Sequence, residues 1–138
     1  MSYRIEKTNN EELVLALQKW CLPEDTPEKF EGSEWWVAYS DKTDEAVGFG
    51  GYTQSAHWHN TIYLCRAGVL PDHRGQGLQK RLIRVRLKHA RKVGNTWAYT
   101  DVSDNPASAN SLISCGFKLY SPYLAWGTKE TLYWRRSL

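Results

Sequence analysis

A glycine-rich turn between a strand pattern and a helix pattern is the feature that most restricts how this chain can fold. The apolar run 61–70 ends at Pro71, the turn 74–77 reads Arg-Gly-Gln-Gly, and an amphipathic segment begins at Leu78. A helix start leaves four backbone N–H groups without partners and carries the positive end of the helix dipole. Glycines let the backbone approach an anion closely. The turn predicts a phosphate site built from backbone amides, with a tight turn that binds nothing as the alternative.

Two other phosphate-binding motifs are excluded by the same residues. A P-loop requires Gly-x-x-x-x-Gly-Lys-Ser/Thr, which the sequence does not contain. A dinucleotide fingerprint requires Gly-x-Gly-x-x-Gly, and Lys80 stands where the third glycine belongs. The predicted site therefore belongs to neither class.

Length and composition predict one soluble domain over residues 1–138. The net charge of +3 suits an anionic ligand without requiring nucleic acid. Cys21, Cys65 and Cys115 have no paired spacing and predict reduced thiols in a cytoplasmic protein. No apolar run approaches the ~20 residues of a membrane span, so no membrane partner is expected.

Hydrophobic periodicity predicts strands alternating with helices. Strands are predicted over 3–7, 34–40, 46–53, 61–70, 97–102, 117–120 and 131–135. Helices are predicted over 10–20, 78–93 and 106–115, with a short helical turn starting at Thr26-Pro27. This order predicts a mixed α/β fold.

Several residues stand out against these patterns. Gly68, inside a strand pattern, predicts either a bulge or a close backbone approach. Trp35 and Trp36 are strand neighbours that point oppositely, so we expect one to face the core and the other to wall a pocket. Arg86 and His89 fall on the apolar side of the 78–93 helix, and the pattern does not explain them.

Two motifs resemble the signatures of the GCN5-related N-acetyltransferases. Residues 67–79 are similar to the family's strand ending in Val-x-Pro, followed by its glycine loop and helix. Asn105-Pro106-Ala107-Ser108 with Gly116-Phe117 has the spacing of the second signature. The resemblance covers nearly the whole chain. It implies a twisted mixed sheet of six to seven strands with splayed central strands, about four flanking helices, and coenzyme A in the gap.

The resemblance also implies which residues hold acetyl-CoA. Backbone pairing with the pantetheine arm is expected at Val69 and Leu70, and the Val69 amide would polarise the thioester carbonyl. Asn105 and Ser108 would contact the cofactor from the other side. The pyrophosphate would be bound by the amides of Arg74, Gly75, Gln76, Gly77, Leu78 and Gln79.

The resemblance implies fewer of the catalytic residues, because the sequence departs from the family's pattern at several positions. Gln79 replaces the last Gly or Ala of the loop, Leu112 stands where many members have a proton-donating tyrosine, and 61–70 contains no carboxylate. We hypothesise that Asp101 accepts the amine's proton, with a strand-end aspartate as the alternative. Tyr120 is the candidate proton donor and Tyr123 a second one, with a structural role as the alternative for each. No metal is expected, since His57 and His59 have no neighbouring acidic or cysteine ligand in sequence.

The leading function is an acetyl-CoA-dependent N-acetyltransferase acting on a small-molecule or peptide amine. The alternative is a non-catalytic acyl-CoA-binding module. Nucleic-acid binding is a distant third, because the basic face of the 78–93 helix lacks interleaved aromatic residues. A homodimer is left open. The six residues of that basic face are Lys80, Arg81, Arg84, Lys88, Arg91 and Lys92.

Overall fold

One sheet of seven strands carries three α-helices in the computed structural model, which describes residues 2–138. The strands are β1 (Tyr3–Thr8), β2 (Ser33–Ser40), β3 (Ala46–Gln54), β4 (Thr61–Val69), β5 (Trp97–Ser103), β6 (Lys118–Tyr120) and β7 (Thr131–Ser137). The helices are α1 (Glu11–Cys21), α2 (Leu78–Lys92) and α3 (Pro106–Ser114), and one 3-10 turn covers Pro71–His73. The predicted mixed α/β architecture is confirmed, with three α-helices and this turn where about four helices were expected.

The sheet opens between its two central strands. Its strand order is β1-β2-β3-β4-β5-β7-β6, and every pair is antiparallel except β4 with β5. These two strands run parallel and stay paired over only three residue pairs, the last being Tyr63↔Tyr99. Beyond that pair they separate. The predicted splay of the central strands is therefore confirmed.

A β-bulge lies in β4 at the start of this gap. The register of β3 against β4 shifts there, so that Gly51 alone stands opposite Cys65 and Arg66. The buried guanidinium of Arg86 holds the bulge from α2, donating from Nη1 to the Gly51 carbonyl at 2.8 Å and from Nε to the Leu82 carbonyl at 2.9 Å. Burial lowers the pKa of Arg86 to about 10, so the group stays charged at neutral pH. The bulge explains the arginine on the apolar side of α2.

The two faces of the sheet carry separate cores. Trp35 packs with residues of α1 on one face, and Trp36 packs with residues of α2 and α3 on the other. His89 completes the second core, since its Nδ1 lies 2.8 Å from the Tyr52 hydroxyl and its ring lies edge-on to Trp36. Trp35 is 1% exposed and Trp36 is 3% exposed. The expectation that one of these tryptophans walls a pocket is therefore wrong, because both are enclosed by helices.

The short helical turn expected at Thr26-Pro27 is also wrong. The segment is irregular, because its backbone groups bond to side chains from elsewhere instead of to one another. Gln18 Oε1 accepts a hydrogen bond from the Glu28 N–H at 2.8 Å. The Thr26 carbonyl accepts one from Arg66 Nη2 at 3.3 Å. Both partners lie on regular elements, so they fix the path of this connection beside the gap.

Gly68 marks a close approach of two elements. A Cβ atom at this position would lie 2.6 Å from Cys21 Cβ and 3.1 Å from the Phe49 ring. The last residue of α1 therefore rests directly on the backbone of β4. Of the two readings of Gly68, the structure supports the close approach, since the bulge lies upstream at Cys65 and Arg66.

Gly68→Ala is expected to lower the free energy of unfolding by about 1–3 kcal/mol, because the end of α1 must move to admit a methyl group. Denaturant unfolding of the purified variant measures the change. In the Gly68→Ala background, Cys21→Gly removes the opposing Cβ and should recover part of the loss. Strictly additive effects of the two substitutions would show that this contact is not the cause.

Candidate functional site

The start of α2 presents backbone amides that no side chain caps. Gly75 has φ +77° and Gly77, the residue before the helix, has φ +78°, a region that favours glycine. Gly77 makes no side-chain capping bond, and the first turn of α2 contains no acidic residue. The positive end of the helix dipole is therefore not neutralised locally. This arrangement suits an anion, as the sequence predicts.

A cavity of about 630 Å³ lies against this turn. It is bounded by β4, the glycine turn, the end of α1 and the start of α3, and of the described residues that line it none is acidic. Arg74 and Lys80 supply positive charge there. Gln79 also lines this cavity. Its side-chain oxygen Oε1 is buried and has no hydrogen-bond partner among residues 2–138. An orphaned amide oxygen of this kind is typical of a ligand site.

The end of β4 directs backbone groups into the gap. The Leu70 N–H donates to the Val47 carbonyl at 2.8 Å, and in an antiparallel ladder the next residue pair then points its polar groups away from the partner strand. The Val69 N–H and carbonyl therefore face away from β3. Arg74 Nε donates to that Val69 carbonyl at 3.0 Å. In Leu70 both backbone groups are occupied, because its N–H donates to Val47 and its carbonyl accepts from the His73 N–H.

Asp101 lies on the opposite side of the gap, on β5. Its Oδ2 accepts hydrogen bonds from the Tyr63 hydroxyl at 2.7 Å and from Trp126 Nε1 at 2.8 Å. Burial and the nearby Asp101 charge raise the pKa of Tyr63, so Tyr63 remains a donor. Asp101 lines a second cavity of about 360 Å³ between β4 and β5. The carboxylate is thus held in place by two donors at the edge of an open space.

The two cavities adjoin at the start of α3. Asn105 Oδ1 accepts from the Ser108 N–H at 3.1 Å and so caps this helix. Both residues line both cavities, as does Gln79. One continuous cleft therefore runs from the glycine turn to Asp101, and it brings together Val69, Arg74, Gly75, Gly77, Leu78, Gln79, Asn105, Ser108 and Asp101.

Tyr120 lies outside this cleft. It lines a separate cavity of about 310 Å³, and the Arg135 guanidinium carbon sits 4.6 Å from its ring centre. The Tyr133 ring packs edge-on against it, and Tyr133 is the residue paired with Asp101 on the adjacent strand. Burial raises the pKa of Tyr120. Trp58 and His59, from the segment with the paired histidines, line the same cavity.

Sequence reasoning missed four residues in or beside the cleft. Arg66 and Arg86 line the second cavity, and Tyr63 and Trp126 hold Asp101. The sequence marked Arg86 as unusual, since it is a charged residue on an apolar helix face. Nothing in the sequence indicated a role for Trp126, because it stands in an irregular segment 25 residues away from Asp101.

The three thiols are poorly ionised. Burial raises the pKa of Cys21 and of Cys115, and it raises the pKa of Cys65 to about 11. Cys115 lies in the core, and Cys65 is also partly covered. Because the thiolate is the nucleophilic form, none of these residues suits covalent catalysis at neutral pH.

Within residues 2–138, no group of three or more His, Cys, Asp or Glu residues is placed to bind a metal ion. In that same part of the chain, no helix combines the length and apolarity required to span a bilayer.

Comparisons with known proteins identify the family and the fold. Residues 3–117 match the model of the acetyltransferase (GNAT) family. No match was found among curated protein sequences. Among solved structures, IAA acetyltransferase from Bacillus cereus ATCC 14579 has a TM-score of 0.79 at 17% identity, with 99% of this chain and 100% of that chain covered. An acetyltransferase from Bacillus subtilis in complex with CoA has a TM-score of 0.77 at 17% identity, with 99% of each chain covered. The ribosomal-protein-S18-alanine N-acetyltransferase from Escherichia coli has a TM-score of 0.74 at 16% identity, with 99% of this chain and 94% of that chain covered.

Proposed function

The chain belongs to the acetyltransferase (GNAT) family, whose members use acetyl-CoA, and we propose that it transfers the acetyl group to a primary amine by direct attack in a ternary complex. One observation carries this proposal. A basic cavity at the start of α2 adjoins, across the gap between β4 and β5, a second cavity that contains the Asp101 carboxylate. The donor and the acceptor can therefore be bound from opposite ends of one cleft.

The residues present fit the cofactor. The two glycines of positive φ lie where a phosphate-bearing ligand requires close backbone approach. The orphaned Gln79 oxygen is an acceptor, so it would be satisfied by an N–H or hydroxyl donor of the ligand and not by its phosphates. The amides of residues 75–79 would hold the pyrophosphate, and Arg74 would contribute its side chain instead of its amide, because the Arg74 N–H already donates to the Pro71 carbonyl at 3.3 Å. Asn105 and Ser108 would contact the opposite side. Of the two residues expected to pair with the pantetheine arm, Leu70 has both backbone groups occupied, and the Val69 carbonyl already accepts from Arg74 Nε. The Val69 N–H is therefore the backbone group left for the donor.

The chain's own groups would then perform two tasks. When bound, acetyl-CoA supplies the acetyl group as a thioester. The Val69 N–H points into the gap and would donate to the thioester oxygen as negative charge develops there. Asp101 would take the proton from the acceptor's ammonium group, directly or through water, so that the neutral amine attacks. The new C–N bond would form as the C–S bond breaks, and the attacking nitrogen would release its second proton to solvent while the sulfur leaves as a thiolate.

The leaving thiolate does not require a protein acid. A free thiol has a pKa of about 8.5, so its anion departs readily near neutral pH and takes a proton from solvent. Tyr120 stays a prediction as the proton donor, and Tyr133 lies between it and Asp101. Direct attack is favoured over an acyl-cysteine because burial suppresses ionisation of all three thiols.

A non-catalytic acyl-CoA-binding module is the second candidate. Leu112 favours it, since this buried side chain stands where many family members carry the tyrosine that protonates the thiolate. Both candidates predict binding of acetyl-CoA. Only the first predicts turnover.

The proposal is tested by measuring binding and turnover separately. We expect acetyl-CoA to bind in isothermal titration calorimetry with a dissociation constant between about 1 µM and 1 mM, the usual range for enzyme substrates. We expect free thiol to be released with at least one member of a panel of primary amines. Binding without release for any amine would identify the non-catalytic module, and an absence of binding would contradict both candidates.

Three further predictions concern the whole chain. We propose that residues 1–138 work as one domain, since β1 to β7 belong to one sheet. A cytoplasmic location is supported by the three free thiols. Dimerisation stays a prediction that sedimentation of the purified protein would check.

A further inference from the structure

The cavity that contains Asp101 has charged side chains of both signs that do not pair with one another. Arg66, Arg86, Asp25 and Asp101 all line it. Within residues 2–138, no nitrogen of either arginine lies within 4.0 Å of a carboxylate oxygen. Arg86 is occupied by the carbonyls that it holds at the bulge. Arg86 is also 2% exposed, whereas Arg66 is only half-buried, so Arg66 is the cation of this cavity that a ligand can reach.

The bulge in β4 determines the position of Arg66 in this cavity. Cys65 and Arg66 together oppose one residue of β3, and such an extra residue re-aims the side chains around it. Arg66 Nη2 donates to the Thr26 carbonyl at 3.3 Å, which anchors one arm of the guanidinium. Arg66 Nε is buried and has no hydrogen-bond partner among residues 2–138. A buried donor without a partner is costly and is typical of a site that binds a ligand.

Acetyl-CoA does not account for this charge. Its phosphates belong with the basic cavity at the start of α2, on the other side of Gln79. The thioester end that would reach Arg66 carries no charge. Asp25, the other acid of the cavity, lies exposed on a loop and beyond ion-pair distance. The partner of Arg66 must then arrive with the acceptor.

We propose that the acceptor is a zwitterion, an amine that carries a carboxylate close to the nitrogen that is acetylated. This inference rests on the proposed acetyl transfer. Arg66 on β4 binds the carboxylate, and Asp101 on β5 receives the amine. A guanidinium fork matches the two oxygens of a carboxylate, which gives the acceptor a fixed orientation in the cleft. Arg66 is thus a positioning residue that selects amino acids over simple amines.

The test compares matched amines on the wild-type protein and on Arg66 variants. Each acceptor is assayed as an amino acid, as its amide and as its decarboxylated amine, over a range of side chains and amine-to-carboxylate spacings. We expect kcat/KM to be about 10- to 100-fold higher for the carboxylate form, the usual effect of a charge-assisted hydrogen bond. Arg66→Gln should abolish that preference mainly by raising KM for the amino acid, so that the amino acid and its decarboxylated amine react with similar kcat/KM. Arg66→Lys should retain part of the preference, because it keeps the charge but not the fork.

Arg84→Gln is the matched control, since it removes an exposed arginine of α2 that does not line the cavity. Equal rates for the carboxylate and decarboxylated forms, or a preference that survives Arg66→Gln, would overturn the inference while leaving acetyl transfer intact. Amino-acid binding that depends on Arg66 without any thiol release would overturn the catalytic proposal and leave the carboxylate site standing. Neither binding nor release of any kind would overturn both.

Discussion

Asp101→Asn is expected to lower kcat/KM for acetyl transfer about 100-fold at pH 7, the usual contribution of a positioned general base. The asparagine oxygen can still accept from Tyr63 and Trp126, so the fold and the cleft should persist. What is lost is the ability to take a proton from the acceptor's ammonium group. An alkyl amine loses that proton to solvent near pH 10, so the deficit should shrink as the pH approaches that value. The measurement is a profile of kcat/KM against pH for both proteins.

Two controls separate catalysis from structure. Asp104→Asn removes an exposed aspartate from the residues that follow β5 and should leave the profile unchanged. Tyr63→Phe deletes one donor to Asp101 and should lower the rate less than Asp101→Asn, with the same pH dependence as the wild type. Equal profiles for Asp101→Asn and the wild type at every pH would reject Asp101 as the base. The residue would then serve only to join Tyr63 and Trp126.

Local sequence signals predicted the elements at the start of α2 and α3 well. The apolar period of α2 is strong, and its observed bounds, Leu78–Lys92, differ from the predicted ones by one residue. The glycines at 75 and 77 adopt positive φ values, which suit the predicted anion site. Asn105 caps α3 with its own side chain. All of these features depend on residues close together in the chain, and such local features can be predicted from a sequence pattern.

The acceptor half depends on contacts that no local pattern records. Tyr63 and Asp101 are 38 residues apart and meet only because β4 and β5 pair in parallel. Arg66 breaks the alternation of its strand through a bulge that depends on β3. Gly68 was recognised as unusual, but its partner Cys21 could be found only after α1 was placed on the sheet. Sequence reasoning therefore proposed Asp101 alone and missed the groups that surround it.

Gly77→Ala is expected to weaken acetyl-CoA binding about 10- to 100-fold while lowering the free energy of unfolding by only about 1–2 kcal/mol. The fold should survive, because a Cβ at Gly77 meets no atom within 4 Å and the cost is that of a positive φ alone. The added methyl group would stand in the turn where the backbone must approach the phosphates, and relief of the strained φ would re-aim the amides. Calorimetry with acetyl-CoA gives the dissociation constant, and denaturant unfolding gives the stability.

Gly94→Ala separates binding from strain. Gly94 follows the other end of α2, has φ +99° and likewise has open space around its Cβ position. It lies outside the basic cavity, so its replacement should cost similar stability and leave the dissociation constant unchanged. If both variants bound acetyl-CoA equally well, the amides at the start of α2 would not be the phosphate site. The orientation of the donor in the cleft, and with it the approach of the acceptor from Asp101, would then have to be assigned to other residues.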